Sequence, residues 1–147
     1  EVELIGTIRT FDEGMRQKVF ADLISVAKNV AAAHGATVVT DVPDTEGNPV
    51  TVNNPALTAQ SLPGLFKAAG EANVVNMSLV MGAEDFSYYA QEVPGFFFFV
   101  GATPVGKDAN NAPSNHSPQF FLDEAALPLG TRALLQVSLD YLSGAKK

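Results

Sequence analysis

Polar and apolar residues alternate over the first ten positions. Val2, Leu4 and Ile8 fall on one side and Glu3, Thr7 and Arg9 on the other, which predicts a half-buried strand. The period then lengthens. Met15, Val19, Leu23, Val26, Ala27 and Val30 recur at helical spacing, with Asp12 as the expected N-cap and Gly35 as the stop. Thr37 to Val42 is rich in β-branched residues and predicts a second strand. Pro43 to Pro49 reads as a loop, with Asp44, Gly47 and Asn48 as turn formers. These pieces make a β–α–β unit, whose crossover is right-handed if its strands are parallel.

A second pattern starts near Asn53, and a domain boundary is placed at residues 50–54. Asn54-Pro55 has the form of an N-cap followed by proline at the first helical position. Leu62-Pro63-Gly64 predicts a break in the helix that follows, with a second piece running to Ala72. Met77 to Met81 reads as a short strand and Glu84 to Gln91 as a short helix, ended by Pro94-Gly95. The run Phe96 to Val100 suits a strand buried on both faces. Residues 101–118 form a long polar loop, of the kind that is usually functional or disordered. Asp123 is the expected cap of a last helix carrying Leu127, Leu134, Val137 and Tyr141 on one stripe, with Pro128 awkward in its first turns. The fold class expected is therefore α/β.

Composition narrows the function. With 46% hydrophobic and 17% charged residues, the 147-residue chain is globular rather than disordered. A net charge of −7 argues against nucleic acid or an anionic membrane as partner. No apolar run approaches the roughly 20 residues of a spanning helix. The absence of cysteine excludes a disulfide framework, a thiolate ligand and a cysteine nucleophile, and leaves the compartment open. No leader pattern stands at the start. The chain opens at Glu1 inside a strand pattern, which suggests a processed or shortened product.

Three places can carry chemistry. His116, near the end of the long loop, is either a metal-ligating imidazole or a loop histidine bonded to water or backbone. In Gly82-Ala83-Glu84-Asp85-Phe86 the carboxylates either suit the positive end of a helix or face a cation. Arg9 either grips a substrate carboxylate or is an exposed strand arginine. His34, just before Gly35, is expected at the carbonyl end of its helix. No serine triad and no phosphate loop is present.

Four blocks in order resemble one family. They are Gly6-Thr7-Ile8-Arg9-Thr10-Phe11-Asp12, then Asn53-Asn54-Pro55-Ala56-Leu57, then Met81-Gly82-Ala83-Glu84-Asp85-Phe86-Ser87 with Val93-Pro94-Gly95-Phe96-Phe97, and His116-Ser117-Pro118-Gln119-Phe120 with Leu122 to Leu127. Together they are similar to the last third of the aminoacylase/carboxypeptidase/hippurate hydrolase family of dinuclear metal amidohydrolases. The resemblance implies that residues 1–52 are the second half of a βαββαβ lid, or dimerisation, domain. Residues 53–147 would be the end of a zinc-peptidase-like α/β catalytic domain.

The same resemblance implies site roles. His116 matches the last metal ligand, Arg9 the arginine that holds substrate carboxylate, and Glu84 a pocket-facing carboxylate. It also implies two divalent ions in the parent (Zn, or Mn, Co or Ni), an N-acyl amino acid or peptide substrate such as hippurate, and a homodimer through the lid. The other family ligands and the general-base glutamate lie upstream and have no counterpart here. The chain alone is therefore expected to be inactive, with the missing N-terminal segment as a further partner. The competing reading is a non-catalytic dimerisation or interaction module.

Overall fold

The computed structural model describes residues 1–42 and 47–144, so most of the loop expected at Pro43–Pro49 lies outside the described residues. The helices are α1 (Glu13–Ala33), α2 (Pro55–Ala69), α3 (Phe86–Glu92) and α4 (Ala126–Leu142), with 3-10 turns at Glu71–Asn73 and Ala109–Asn111. Of the described residues 47% are helical, and no strand is present among them. The α/β expectation, with its half-lid and its sandwich end, is thereby corrected. Alternation sets which way side chains would face, but a strand exists only when its backbone groups pair with a neighbouring strand. Residues 1–10, 37–42, 77–81 and 96–100 form no such ladder. Apolar side chains on the first two of these segments stay in solvent accordingly: Leu4 is 93% exposed and Val39 94%.

Two compact units make up the chain: Glu1–Val52 with Ser78–Val93, and Asn53–Met77 with Pro94–Lys147. In the first unit, α1 starts as its sequence dictates, with the Asp12 carboxylate accepting the Met15 N–H at 2.7 Å. It ends on Gly35 at φ 66°, where the Ala36 N–H reaches the Ala31 carbonyl at 2.9 Å and the Gly35 N–H the Ala32 carbonyl at 3.1 Å. This is a Schellman closure, for which a residue without Cβ is suited. The backbone N–H of His34 also bonds the Ala31 carbonyl. Near the start of α1, the Gln17 amide, helped by Arg16, holds the exposed Glu13 carboxyl below its usual value. The expected apolar stripe of α1 is divided. Val19 and Ala27 are half-buried together with Phe20, Ile24 and Ala31, whereas Met15, Leu23, Val26 and Val30 face solvent.

The second unit is organised by α2 against α4. Asn54 caps α2 through its side chain, accepting the Leu57 N–H at 2.9 Å, and Pro55 occupies the first turn. The break expected at Leu62-Pro63-Gly64 does not occur, because α2 runs through Pro63 to Ala69. An interior proline costs about 3 kcal/mol. Here the cost is offset by tertiary packing, since Leu65 and Ala68 are buried with Ala133 of α4 in the core, flanked by Val74, Phe96, Phe98 and Val137. Gly64 makes the approach possible, as a Cβ there would lie 3.1 Å from the Asp140 Oδ2 and 3.4 Å from the Val137 Cα.

The stripe expected on α4 is also corrected. Leu127, Leu134 and Tyr141 are exposed, and of the expected stripe Val137 alone meets α2, together with Ala133 and Asp140. Small residues allow the helices to approach, a quality that hydrophobicity alone does not rank. Pro128 is the third residue of α4, where its missing N–H is one of the groups a helix start leaves unbonded anyway. Asp123 does not cap α4 itself. Its carboxylate accepts the Ala125 N–H at 2.9 Å, just ahead of the helix.

Candidate functional site

Arg9 and the Gly82–Phe86 turn come together in the first unit. The Arg9 Nη1 donates to the Met81 carbonyl at 2.6 Å, across 72 positions of sequence. The turn is closed behind that carbonyl by Ser87, which is fully buried. Its Oγ donates to the Glu84 carbonyl at 2.6 Å and its N–H to the same oxygen at 3.1 Å. Neither carboxylate is a strong helix cap. Asp85 makes no capping bond and instead accepts from the Asn48 Nδ2 at 3.0 Å, while Glu84 meets the Phe86 N–H only at 3.4 Å. Glu84 is half-buried and Asp85 exposed. The arrangement thus brings the Arg9 guanidinium against the backbone that leads into the turn bearing Glu84 and Asp85.

His116 belongs to the second unit. It sits at the tip of a turn in which the Ser117 N–H bonds the Ser114 carbonyl at 2.8 Å, and its own N–H meets the Ser114 Oγ at 3.3 Å. The residue is exposed. The loop that carries it is closed at its base, where the Asp123 N–H bonds the Ala102 carbonyl at 2.8 Å. Among the described residues, no three histidine, cysteine, aspartate or glutamate side chains gather where they could hold an ion. A dinuclear centre needs several such donors, so the described residues do not make one by themselves.

Two asparagines had no expected place near this chemistry. Asn48 holds Asp85, and Asn53 pins the aromatic run. The Asn53 Nδ2 donates to the Phe97 carbonyl at 2.8 Å, its Oδ1 accepts the Phe97 N–H at 2.7 Å, and the neighbouring Asn54 N–H bonds the Gly95 carbonyl at 2.8 Å. The carboxamide stands in for a strand neighbour. A sequence signal existed, since Asn54 alone suffices to cap α2 and leaves Asn53 unexplained. The run itself is not buried on both faces as expected. Phe96 and Phe98 turn to the core, with ring centroids 5.7 Å apart, while Phe99 is exposed. Asn53→Leu removes both carboxamide bonds and is expected to cost about 2 kcal/mol, measured by urea unfolding of the purified chain.

The order of the motifs points to the class of peptidases and amidohydrolases. Residues 7–140 match Peptidase family M20/M25/M40, and the chain belongs to that family. Among its relatives is the Bacillus subtilis protein named as an amidohydrolase, YhaA, 34% identical over 94% of this chain and 34% of the relative. Thermostable carboxypeptidase 2 of Saccharolobus solfataricus is 35% identical over 90% of this chain and 32% of the relative. N-acetyldiaminopimelate deacetylase of Streptococcus thermophilus is 36% identical over 85% of this chain and 31% of the relative. The chain spans about a third of the length of the curated relatives it matches. No helix among the described residues is long and apolar enough to cross a membrane.

Proposed function

We propose that this chain is the carboxy-terminal part of a metal-dependent amidohydrolase that cleaves the amide of N-acyl amino acids, hippurate-like compounds or related peptides, and that it is inactive without the rest of the protein. The observation that carries the reading is the family match over residues 7–140. The relatives' names support it, since one is a deacetylase of N-acetylcysteine and another of N-acetyldiaminopimelate, both acyl groups on amino-acid nitrogen.

In this reading His116 offers one imidazole to a divalent metal centre whose other donors come from polypeptide outside this chain. Such ions, zinc or a similar metal, supply Lewis acidity and activated water. Arg9 binds the free carboxylate of the substrate. One of its donors is engaged with Met81, and a guanidinium has five, enough to leave an edge for a carboxylate. Glu84 supplies a carboxylate from the turn that follows the Met81 carbonyl. A homodimer through residues 1–52 belongs to the same proposal.

The test is an assay of the purified chain on N-benzoylglycine with added zinc or manganese. No turnover above background is expected, and metal-dependent hydrolysis by the chain alone would overturn the claim of inactivity. A chimera then addresses the reaction itself. Carboxypeptidase 2 of Saccharolobus solfataricus, with its matched third exchanged for this chain, is expected to hydrolyse N-acyl amino acids when loaded with metal. A well-folded, metal-loaded chimera inert on all of them counts against the reading.

A further inference from the structure

The Gly82–Phe86 turn has no strand beside it among the described residues, so side chains from elsewhere in the first unit help to place it. Arg9 donates to the Met81 carbonyl at 2.6 Å, just before the turn, and the Asn48 Nδ2 donates to the Asp85 Oδ1 at 3.0 Å, near its end. Asp85 stands at the N-cap of α3 yet makes no capping bond. A carboxylate at that position ordinarily accepts from the first N–H groups of its own helix. This one accepts instead from a residue 37 positions away, in a charge-assisted bond. Asn48 is half-buried and its backbone is held in turn. The carbonyl of its neighbour Gly47 accepts the Arg16 Nη1 at 3.3 Å, and the Arg16 side chain, 13% exposed, is paired with Glu13 at 2.7 Å. A path of polar contacts therefore runs from α1 through Gly47 and Asn48 to Asp85.

We infer that Asn48 is a positioning residue for the proposed amide hydrolysis: by tying Asp85 back towards α1, it fixes the turn that carries Glu84 to the substrate. The inference rests on the roles proposed above for Arg9 and Glu84. It gives the two adjacent carboxylates different work. Asp85 is the tether, and Glu84, half-buried and bonded only at 3.4 Å to the Phe86 N–H, is left available. Between the Arg9 and Asn48 anchors the backbone has little else to hold it, since a Cβ on Gly82 would meet no atom within 4 Å. Cutting one anchor therefore frees the stretch that bears Glu84. A carboxamide also suits the task because it donates without carrying charge, and so adds no second cation to compete with Arg9 for the substrate carboxylate. A group that orients a working side chain acts on the reaction step, because a displacement of about 1 Å is costly there. Asn48 is accordingly expected to govern kcat, whereas Arg9 governs KM.

Three variants test this: Asn48→Ala, Asn48→Asp, and the exchanged pair Asn48→Asp with Asp85→Asn. Asn48→Ala removes the donor, and Asn48→Asp sets two carboxylates against each other. In the exchanged pair the amide and the carboxylate trade places, and the bond re-forms in reverse. In the metal-loaded chimera described above, each single variant is expected to lower kcat about tenfold with KM within about threefold of the parent, and the exchanged pair to recover most of the loss. An unchanged kcat in Asn48→Ala would overturn the inference. So would an exchanged pair no better than Asn48→Asp, because the Asp85 carboxylate itself, rather than its tether, would then be what counts. A second readout needs no turnover. In the free chain, the Ser87 and Tyr88 N–H groups close the turn on the Glu84 and Asp85 carbonyls at 3.1 Å each. Hydrogen exchange of the peptide that bears them is expected to speed at least about fivefold in both single variants and to slow again in the exchanged pair. Exchange that ignores Asn48 would show that the turn is held without it and would overturn the inference. If exchange responds as stated while the parent chimera hydrolyses nothing, the proposed reaction fails and the anchoring of the turn by Asn48 stands.

Discussion

His116→Ala should lower N-acyl amino acid hydrolysis by the metal-loaded chimera more than about 100-fold, while the unfolding midpoint of the free chain stays where it was. Loss of residues that merely orient metal ligands costs about 10- to 100-fold, and removal of a ligand itself exceeds that range. The folded chain hardly depends on the ring. His116 stands exposed at a turn tip, and the turn is closed by the Ser114 carbonyl and the Ser117 N–H. Substitutions at such surface positions usually change stability by less than about 0.5 kcal/mol. Steady-state kinetics on the chimera and urea unfolding on the chain separate the two quantities. Equal activity of variant and parent would remove His116 from the metal centre. Loss of stability in the free chain would instead give the ring a structural part that its exposure does not suggest.

The second large effect is expected at Gly64. Gly64→Leu should destabilise the chain by about 3 kcal/mol, lowering the melting temperature by roughly 6 to 12 °C. The first added carbon would lie 3.1 Å from the Asp140 carboxylate and 3.4 Å from the Val137 backbone. The carboxylate can swing aside only by leaving Lys67 and Gln136, which hold it at 3.0 and 2.9 Å, and the backbone cannot move without parting α2 from α4. Gly64→Ala is the informative partner. It gains about 1 kcal/mol of helix propensity and loses a comparable amount to the tight contact, so it should be close to neutral. Thermal unfolding by circular dichroism checks both, and a tolerated leucine would mean that the helices are not in close contact at this position.

Much of the helical structure was legible because helix signals are local. The cap at Asp12, the cap and proline at Asn54-Pro55 and the glycine stop at Gly35 each involve side chains within a few residues of the backbone groups they serve. The candidate site was legible in part for a related reason, since Arg9, Glu84 and His116 lie in compact motifs. The bond from Arg9 to the Met81 carbonyl, 72 residues away, has no local signature. Nor does the use of Asn53 as a neighbour for Phe97, 44 residues on.

From the order of its residues alone this chain acquires the start and stop of α1 and the start of α2, its acidic charge and its family, because each depends on chemistry that near neighbours or single side chains carry. Contact between distant segments settled the rest. Alternating positions such as Val2 and Leu4 became strandless because no second backbone completes a ladder there, and α2 continued through Pro63 because Gly64 and Ala133 bring α4 close enough to offset the lost hydrogen bond. Periodicity describes one segment, whereas a strand or a helix packed through a proline is a property of two.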